Sequence, residues 1–371
     1  MQLTPNAFHS FSRREVLRRL GALGCVAGSL SALLIPDATR AAGAQTRVRI
    51  GQVGVAHAHA NKLSIYRASP DYEVVGVVEP DAGLKAKWEK DPAYRGLPWM
   101  TQEELLSVPG LSAVMVETRV KDLLATAEAC LLAGKHVHID KPAGDSLPHL
   151  RRVLSLAKSR GLMVQMGYMY RYNPGFLLLK KFLREGWLGE IFEVHAVMSK
   201  VVEDDNRKEF ALFPGGIQFE LGCHVLDLVI GILGKPERVN AFNQRSGKQE
   251  DGLKDNMLAV LEYPRSIATL KSSALEVEGF ARRHLVVCGS QGTFQIQPLD
   301  NPKVTIALDR DRGEFKKGVQ EVPLPRYRRY VGDAEDMVKV IRGQKQFEYS
   351  YEHDLLVQET LLRACGMPFE R

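Results

Sequence analysis

The 371-residue chain is long enough for two domains with cores of their own. Its 45% hydrophobic and 25% charged residues are those of an ordinary soluble globular protein. The formal charge of +6 falls to +3 once residues 1–44, with five arginines and two acids, are set aside, and that balance excludes a nucleic-acid partner.

Those first residues have the layout of a leader. Ser12-Arg13-Arg14-Glu15-Val16-Leu17-Arg18 precedes an uncharged run from Leu20 to Pro36, followed by the small-residue stretch Ala38-Thr39-Arg40-Ala41-Ala42-Gly43-Ala44. The segment resembles a twin-arginine export signal, so a periplasmic or otherwise exported protein, cleaved near Ala44, is expected. The run is too short and too rich in Gly, Ala and Ser for a membrane span, and no stable membrane insertion is expected after processing. Four cysteines follow, Cys130, Cys223, Cys288 and Cys365, widely spaced and in apolar contexts. They read as free buried thiols and not as a disulfide framework or zinc site.

From Val48 an apolar strand runs into the turn Gly54-Val55-Ala56-His57-Ala58-His59 and then a helix. A turn of that kind suits a dinucleotide pyrophosphate, because backbone amides and a helix start can face the phosphates. Gly54 holds the first position of a GxGxxG pattern, while Ala56 and His59 hold the second and third. A strand over 72–78 ends in Glu79-Pro80-Asp81, where Glu79 can accept hydrogen bonds from an adenosine ribose and favours NAD over NADP.

A helix over 82–90, a short helix opened by the capping box Thr101 to Glu104, a strand over 112–116 and a helix over 123–133 follow. Gly134 marks the end of that helix. The next strand, 135–140, carries His136 and His138 alternating with Val137 and Ile139, and must stop near Asp140 because Pro142 cannot donate to a ladder. Lys141 therefore stands at the carboxyl end of a strand, the edge where open parallel sheets bind ligands. A helix over 146–159 and a strand over 162–167 complete an alternating pattern, which predicts a doubly wound parallel Rossmann sheet.

Beyond Tyr168 the rhythm changes. An amphipathic helix over 174–185 precedes strand-like runs at 191–201, 239–244, 257–263, 267–274, 284–288, 293–296 and 304–308. Two helices, 330–342 and 352–364, close the chain. The fold class expected is α/β, with an N-terminal Rossmann domain over 45–167 and an α+β domain over 168–371 built on a large, mainly antiparallel sheet. One face of that sheet should cover the active site and the other meet a partner subunit, giving a homo-oligomer.

The stretches Gly134-Lys135-His136-Val137-His138-Ile139-Asp140-Lys141-Pro142 and Met169-Tyr170-Arg171-Tyr172-Asn173-Pro174, in this order of domains, resemble the Gfo/Idh/MocA oxidoreductase family. The resemblance covers the chain from about Arg47 onward. It implies that Lys141 lies beside the nicotinamide and the substrate hydroxyl. A second match, Gly215-Gly216-Ile217-Gln218-Phe219-Glu220-Leu221-Gly222-Cys223-His224-Val225-Leu226-Asp227, keeps an acid four residues before a histidine on one helical face. Removing a hydride from a carbinol requires a base for the hydroxyl proton and a cation for the developing alkoxide. His224 suits the first role and Lys141 the second, with Glu220 positioning one of them.

The resemblance further implies cofactor contacts from Gly54, Val55, Ala56, His57, Glu79, Thr118, Asp140 and Lys141, with NAD expected and NADP possible. It implies substrate contacts from Tyr168, Arg171, Tyr172 and Asn173. The chain departs from the family pattern at the glycine turn, at Glu220 in place of Asp, at Asp140 in place of Glu, at Glu117-Thr118-Arg119 in place of Ala-Thr-Pro, and at Leu123 in place of His. No metal is expected: His57, His59, His136, His138 and His195 lack the carboxylate-histidine spacing of a metal site. His57 and His59 are read as capping the turn or lining the cofactor pocket.

The leading function is an exported NAD(P)-dependent oxidoreductase acting on a carbohydrate substrate, a sugar, polyol or glycoside. Its cofactor would be loaded in the cytoplasm, exported with the folded protein and recycled in place. One alternative is a redox-neutral glycosidase that oxidises, eliminates and returns the hydride. Another, of a different class, is a non-catalytic sugar-binding or scaffold protein.

Overall fold

A computed structural model describes residues 46–369; the leader and its cleavage region lie outside the described residues. The described residues form one compact unit.

The first half alternates strands and helices: β1 (Val48–Val53), α1 (Leu63–Ala68), β2 (Tyr72–Val78), α2 (Ala82–Trp88), α3 (Gln102–Leu106), β3 (Leu111–Val116), α4 (Leu123–Leu132), β4 (His136–Ile139), α5 (Leu147–Ser159) and β5 (Val164–Met166). The five strands form a parallel sheet in the order β2-β1-β3-β4-β5. β1 and β3 are buried almost throughout, as strands covered on both faces must be, which is why they read as continuous apolar runs. Local chemistry fixes the helix starts. Asp81 accepts from Gly83 N and Leu84 N at 2.9 and 3.0 Å, and Thr101 and Glu104 close a reciprocal capping box at 3.2 and 2.8 Å.

The second half comprises α6 (Pro174–Arg184), β6 (Ile191–Val197), α7 (Asp204–Ala211), α8 (Cys223–Leu233), β7 (Arg238–Gln244), β8 (Asn256–Glu262), β9 (Ile267–Ser273), α9 (Gly279–Arg282), β10 (His284–Gly289), β11 (Gly292–Ile296), β12 (Val304–Leu308), β13 (Gly318–Val322), α10 (Val331–Ile341) and α11 (Tyr351–Ala364). Its eight strands form one sheet ordered β13-β12-β11-β10-β6-β9-β8-β7. All neighbours are antiparallel except β6 and β9, which pair parallel. β8 alternates strictly between half-buried and buried residues, so one sheet face is covered and the other open. α6, α8 and α11 pack against the covered face.

Five features differ from the sequence reading. β13 is a polar edge strand with no apolar alternation to betray it, and α7, rich in Asp, Asn, Arg and Lys, carries no apolar stripe. The strand expected over 191–201 ends at Val197. The segment before α8 is a π-helical turn over Gln218–Gly222. Last, α10 returns to the first sheet: Ala334, Met337 and Val338 share a core with Val48, Ile50, Tyr66 and Tyr72, and Tyr72 Oη donates to Ala334 O at 2.7 Å. No helix among the described residues is long and apolar enough to cross a membrane.

Candidate active site

The carboxyl ends of the parallel strands converge on the turn after β1. Gly54 adopts φ +89°, and a Cβ there would meet Thr118 N at 2.6 Å and the Glu117 carbonyl carbon at 2.7 Å. Glycine is therefore required both for the backbone conformation and for the close approach of two chain segments. Glu79, at the end of β2, accepts from Asp81 N and from Val55 N, each at 3.0 Å. Gly54, Ala56, Glu79, Thr118 and Arg119 line a cleft of about 720 Å³. It shares Ala56, Leu84 and Arg119 with a second cleft of about 600 Å³ that runs toward His57 and Phe219. A glycine-enforced turn, an acid at the ribose position and two joined clefts fit an extended dinucleotide.

Lys141 emerges from β4 into the gap between the sheets. Its Nζ donates to Glu220 Oε1 at 2.7 Å and to the Glu220 carbonyl at 3.0 Å, with the lysine fully buried. The carbonyl is part of the π-helical turn, where the regular helical ladder is interrupted. An ammonium has three donors, so one N–H of Lys141 is left for a ligand. Burial acts to lower the lysine pKa, but the charge and hydrogen bond of Glu220 together with Asp140 and Cys223 outweigh it and the pKa is raised, so Lys141 is a cation at neutral pH.

His224 lies in the first turn of α8, with Nδ1 buried and without a partner among the described residues. Its ring stands 5.9 Å from His59, 5.8 Å from Tyr170 and 6.4 Å from Tyr168, centroid to centroid. Burial, then the nearby Lys141 ammonium, holds its pKa well below that of an ordinary imidazole. It is therefore neutral and able to accept a proton. Cys223, its neighbour, is buried with its thiol pKa pushed up by burial, the opposite of a reactive thiolate.

Beneath this pair lies a buried polar cluster. Lys62 Nζ is 2.7 Å from Asp140 Oδ2, 2.9 Å from Glu117 Oε1 and 2.8 Å from His138 Nε2. His57 Nδ1 lies 3.1 Å from Asp140 Oδ2, and His59 Nδ1 lies 3.3 Å from Asp140 Oδ1. His138 Nδ1 faces Gln165 Oε1 at 2.9 Å, so His138 donates there and accepts from Lys62. Burial tends to raise the Asp140 pKa, yet His57, Lys62 and His59 pull it well below the carboxylate range. Burial raises that of Glu117 well above it, and Asp140 adds to the rise. Two carboxyl groups thus face one ammonium, and their pKa values are pushed in opposite directions.

The predicted site residues divide accordingly. Lys141, Glu220 and His224 are brought together, and Gly54, Ala56, Glu79 and Thr118 line the dinucleotide cleft. Four of the predicted residues have side chains engaged within the protein. Asp140 has no exposed surface and gives its carboxylate to His57, His59 and Lys62. The Arg171 guanidinium is buried between Asp227 and Asp354, each at 2.6 Å. Tyr172 Oη donates to Asp336 at 2.8 Å, and Asn173 caps α6 through Gly175 N at 2.8 Å while donating to Leu299 O. These three hold the loop after β5 in place, and of the predicted substrate contacts Tyr168 stays beside His224.

Two further assignments change in kind. The Val55 amide is taken by Glu79, and the His57 ring spans Asp140 and the Lys141 carbonyl, the latter at 3.0 Å. His57 and His59 do have a carboxylate partner, Asp140, contrary to the spacing argument, but the cation that carboxylate faces at 2.7 Å is Lys62. Sequence reasoning missed Lys62, Glu117 and Gln165 in the cluster. The signal for Glu117 was its charge at the end of an apolar strand; Lys62, one polar residue ahead of a short helix, gave none.

Two family models match the chain. Residues 48–168 match the oxidoreductase family, NAD-binding Rossmann fold, and residues 176–295 match the GFO/IDH/MocA C-terminal domain. The uncharacterized oxidoreductase YdgJ of Escherichia coli (strain K12) is 29% identical over 259 residues, covering 68% of this chain and 72% of YdgJ. Trans-1,2-dihydrobenzene-1,2-diol dehydrogenase of Bos taurus is 27% identical over 261 residues, covering 69% of this chain and 73% of that enzyme. Among solved structures, UDP-N-acetylglucosamine 3-dehydrogenase GnnA from Acidithiobacillus ferrooxidans superposes with a TM-score of 0.69 at 20% identity, covering 86% of this chain and 97% of GnnA. An NAD binding oxidoreductase from Klebsiella pneumoniae does so at 0.71 and 18% identity, covering 85% and 95%. These last two likenesses concern the fold. The family models together span more than half of the chain, one over each sheet-bearing half, and on that ground the protein belongs to the Gfo/Idh/MocA family of oxidoreductases.

Proposed function

We propose that this protein is an exported, NAD-dependent oxidoreductase that oxidises or reduces a carbinol carbon of a sugar, polyol or glycoside, with Lys141, Glu220 and His224 carrying the chemistry. The observation that supports this reading most is the pairing of a buried ammonium, 2.7 Å from Glu220 and with one N–H free, with a neutral histidine one helical turn further on.

A bound nicotinamide supplies the hydride acceptor or donor. His224 takes the hydroxyl proton, and Lys141 stabilises the negative charge that then develops on oxygen. Glu220 holds the ammonium in place through two contacts, so the cation needs no reorganisation during the reaction. Burial of all three side chains keeps water from competing for these groups. Gly54, Ala56, Glu79 and Thr118 would hold the dinucleotide, and the Glu79 carboxylate disfavours a 2′-phosphate.

The twin-arginine pattern at Arg13-Arg14 supports export of the folded, cofactor-loaded protein. The open face of the second sheet, with half-buried Leu258, Val260 and Val286 and exposed Ile267, supports a homo-oligomer. Absorbance of the purified protein near the nicotinamide band, before and after addition of a panel of sugars and polyols, tests the central reading. A nucleotide-bearing protein whose band answers none of them would refute hydride transfer to this class.

A further inference from the structure

The amides of the turn after β1 are mostly spent inside the protein. Gly54 N donates to Val78 O at 2.8 Å, Val55 N to Glu79 Oε2 at 3.0 Å, His57 N to Glu117 O at 3.0 Å and His59 N to His57 Nδ1 at 3.3 Å. Between Gly54 and His59, the Ala56 and Ala58 amides alone keep no partner among the described residues. A methyl group at Ala56 also stands where the GxGxxG pattern has its second glycine, the one that lets a pyrophosphate approach the backbone. A pyrophosphate is a dianion, and a pair of amides is a small counterweight to it.

Arg119 stands where that charge belongs. Ala56, Leu84 and Arg119 are the residues common to the cleft that holds Glu79 and the cleft that runs toward His57 and Phe219. The pyrophosphate joins the two nucleosides of the cofactor, so its place is where the two clefts meet, and no acid is among the shared residues. Glu79 and Asp122 line the first cleft but not the second, and Asp145 and Glu209 the second but not the first. The lysines divide in the same way, Lys85 on the first cleft and Lys87 on the second, their ammonium groups 5.9 and 5.5 Å from the ring centroids of Trp99 and Trp88. Arg119 also borders a recess of about 100 Å³ with Glu209 and Glu220, and neither carboxylate pairs with it. The arginine is exposed, and its guanidinium makes no hydrogen bond or ion pair among the described residues; its main-chain oxygen accepts from Asp122 N at 2.8 Å. A planar guanidinium with free N–H groups matches phosphate oxygens bidentately.

We infer that Arg119 binds the pyrophosphate of the dinucleotide, supplying from a side chain the charge that the amides of the turn do not supply. The inference rests on the dinucleotide reading of the two clefts and names the residue that holds the cofactor at its charged centre. Charge-assisted hydrogen bonds of this kind change affinity by about tenfold to a hundredfold.

Isothermal titration of the purified protein with NAD and with NADP, after charcoal removal of bound nucleotide, tests it. Arg119→Ala should bind NAD about tenfold to a hundredfold more weakly than the wild type. Its circular dichroism should be unchanged, because the side chain is exposed and unpaired. Arg119→Lys, which keeps the charge but not the fork, should recover part of the loss. Wild-type affinity should fall as ionic strength rises, and Arg119→Ala should flatten that dependence. Equal NAD affinity in Arg119→Ala and wild type would overturn the inference and leave the dinucleotide reading standing. So would a loss confined to NADP, which would place the guanidinium on a 2′-phosphate, or a loss of the same size at every ionic strength. A wild-type protein that binds neither nucleotide would refute the dinucleotide reading itself, and the inference with it.

Discussion

Lys62 Nζ lies 2.7 Å from Asp140 Oδ2, and both side chains are buried to at least 98%. The pair ties the segment after β1 to the residue that precedes Lys141. Burial would lower the lysine pKa, but Asp140 and then Glu117 raise it well above the usual value, so the ammonium is a fixed charge. Removing it leaves Asp140 ionised in a buried position. Lys62→Met is expected to cost about 3–5 kcal/mol of stability, the range for breaking a buried ion pair from one side. Urea unfolding followed by circular dichroism measures this, and an unchanged midpoint would contradict a load shared between Lys62 and Asp140.

Gly54→Ala should lose the nucleotide. The φ of +89° and the 2.6 Å approach to Thr118 N leave no place for a methyl group, and the strain should cost on the order of 1–3 kcal/mol. Denaturing the purified variant and quantifying released nucleotide per chain provides the comparison with wild type, which should release NAD. Full retention in the variant, or NADP from the wild type, would speak against this turn and Glu79 as the dinucleotide site.

Lys141→Ala and His224→Ala should each lower the rate of hydride transfer on the order of a hundredfold or more, with bound nucleotide retained. Neither residue lines the cleft at Gly54 and Glu79. Cys223→Ser should keep most activity, because that thiol is buried and protonated. Stopped-flow absorbance at the nicotinamide band reads all three. A His224→Ala enzyme near the wild-type rate would move the base to Tyr168 or to His59, whose Nδ1 is held by Asp140.

Acid should destabilise the protein before the carboxylates titrate. Burial, then Lys62, holds the His138 pKa near 3, and burial holds that of His224 well below the usual 6.5. A group whose folded pKa is depressed binds its proton more readily in the unfolded chain. The stability it supports is therefore present above about pH 6.5 and is lost as pH falls, by about 1.4 kcal/mol per unit for each ring. His59, with its pKa lowered to about 4 by burial, adds to the loss over the same range. Thermal melts at pH 7.5 and 5.5 should show a lower Tm at pH 5.5, and His138→Gln should narrow the gap. A Tm independent of pH across that interval would contradict buried neutral rings.

Export and assembly are separately testable. Mass spectrometry of periplasmic protein should find a chain starting near Gln45, and an intact Met1 in that fraction would refute cleavage there. Sedimentation at micromolar concentration should give a homo-oligomer. A monomer throughout would leave the open face of the second sheet unexplained.

The parallel sheet was legible in the chain because strands buried on both faces must be apolar throughout, as β1 and β3 are, and the helices between them carry their own starts in Asp81 and Thr101. The place of Lys141 at the end of β4 was legible for a related reason, since a proline after a strand is a local feature. Its contact with Glu220, by contrast, runs through a π-helical turn that the four-residue spacing did not announce. What the sequence could not decide was which polar residues meet across the fold. That Asp140 meets Lys62, 78 positions earlier, is not written in either segment. Nor is it written there that Asp227, Asp354 and Asp336 close on Arg171 and Tyr172 from α8, α11 and α10. Periodicity and capping depend on neighbours a few residues apart, so they are written in the chain. The partner of a buried charge is chosen by desolvation, which acts only after distant segments have packed, and so the tertiary structure alone decides it.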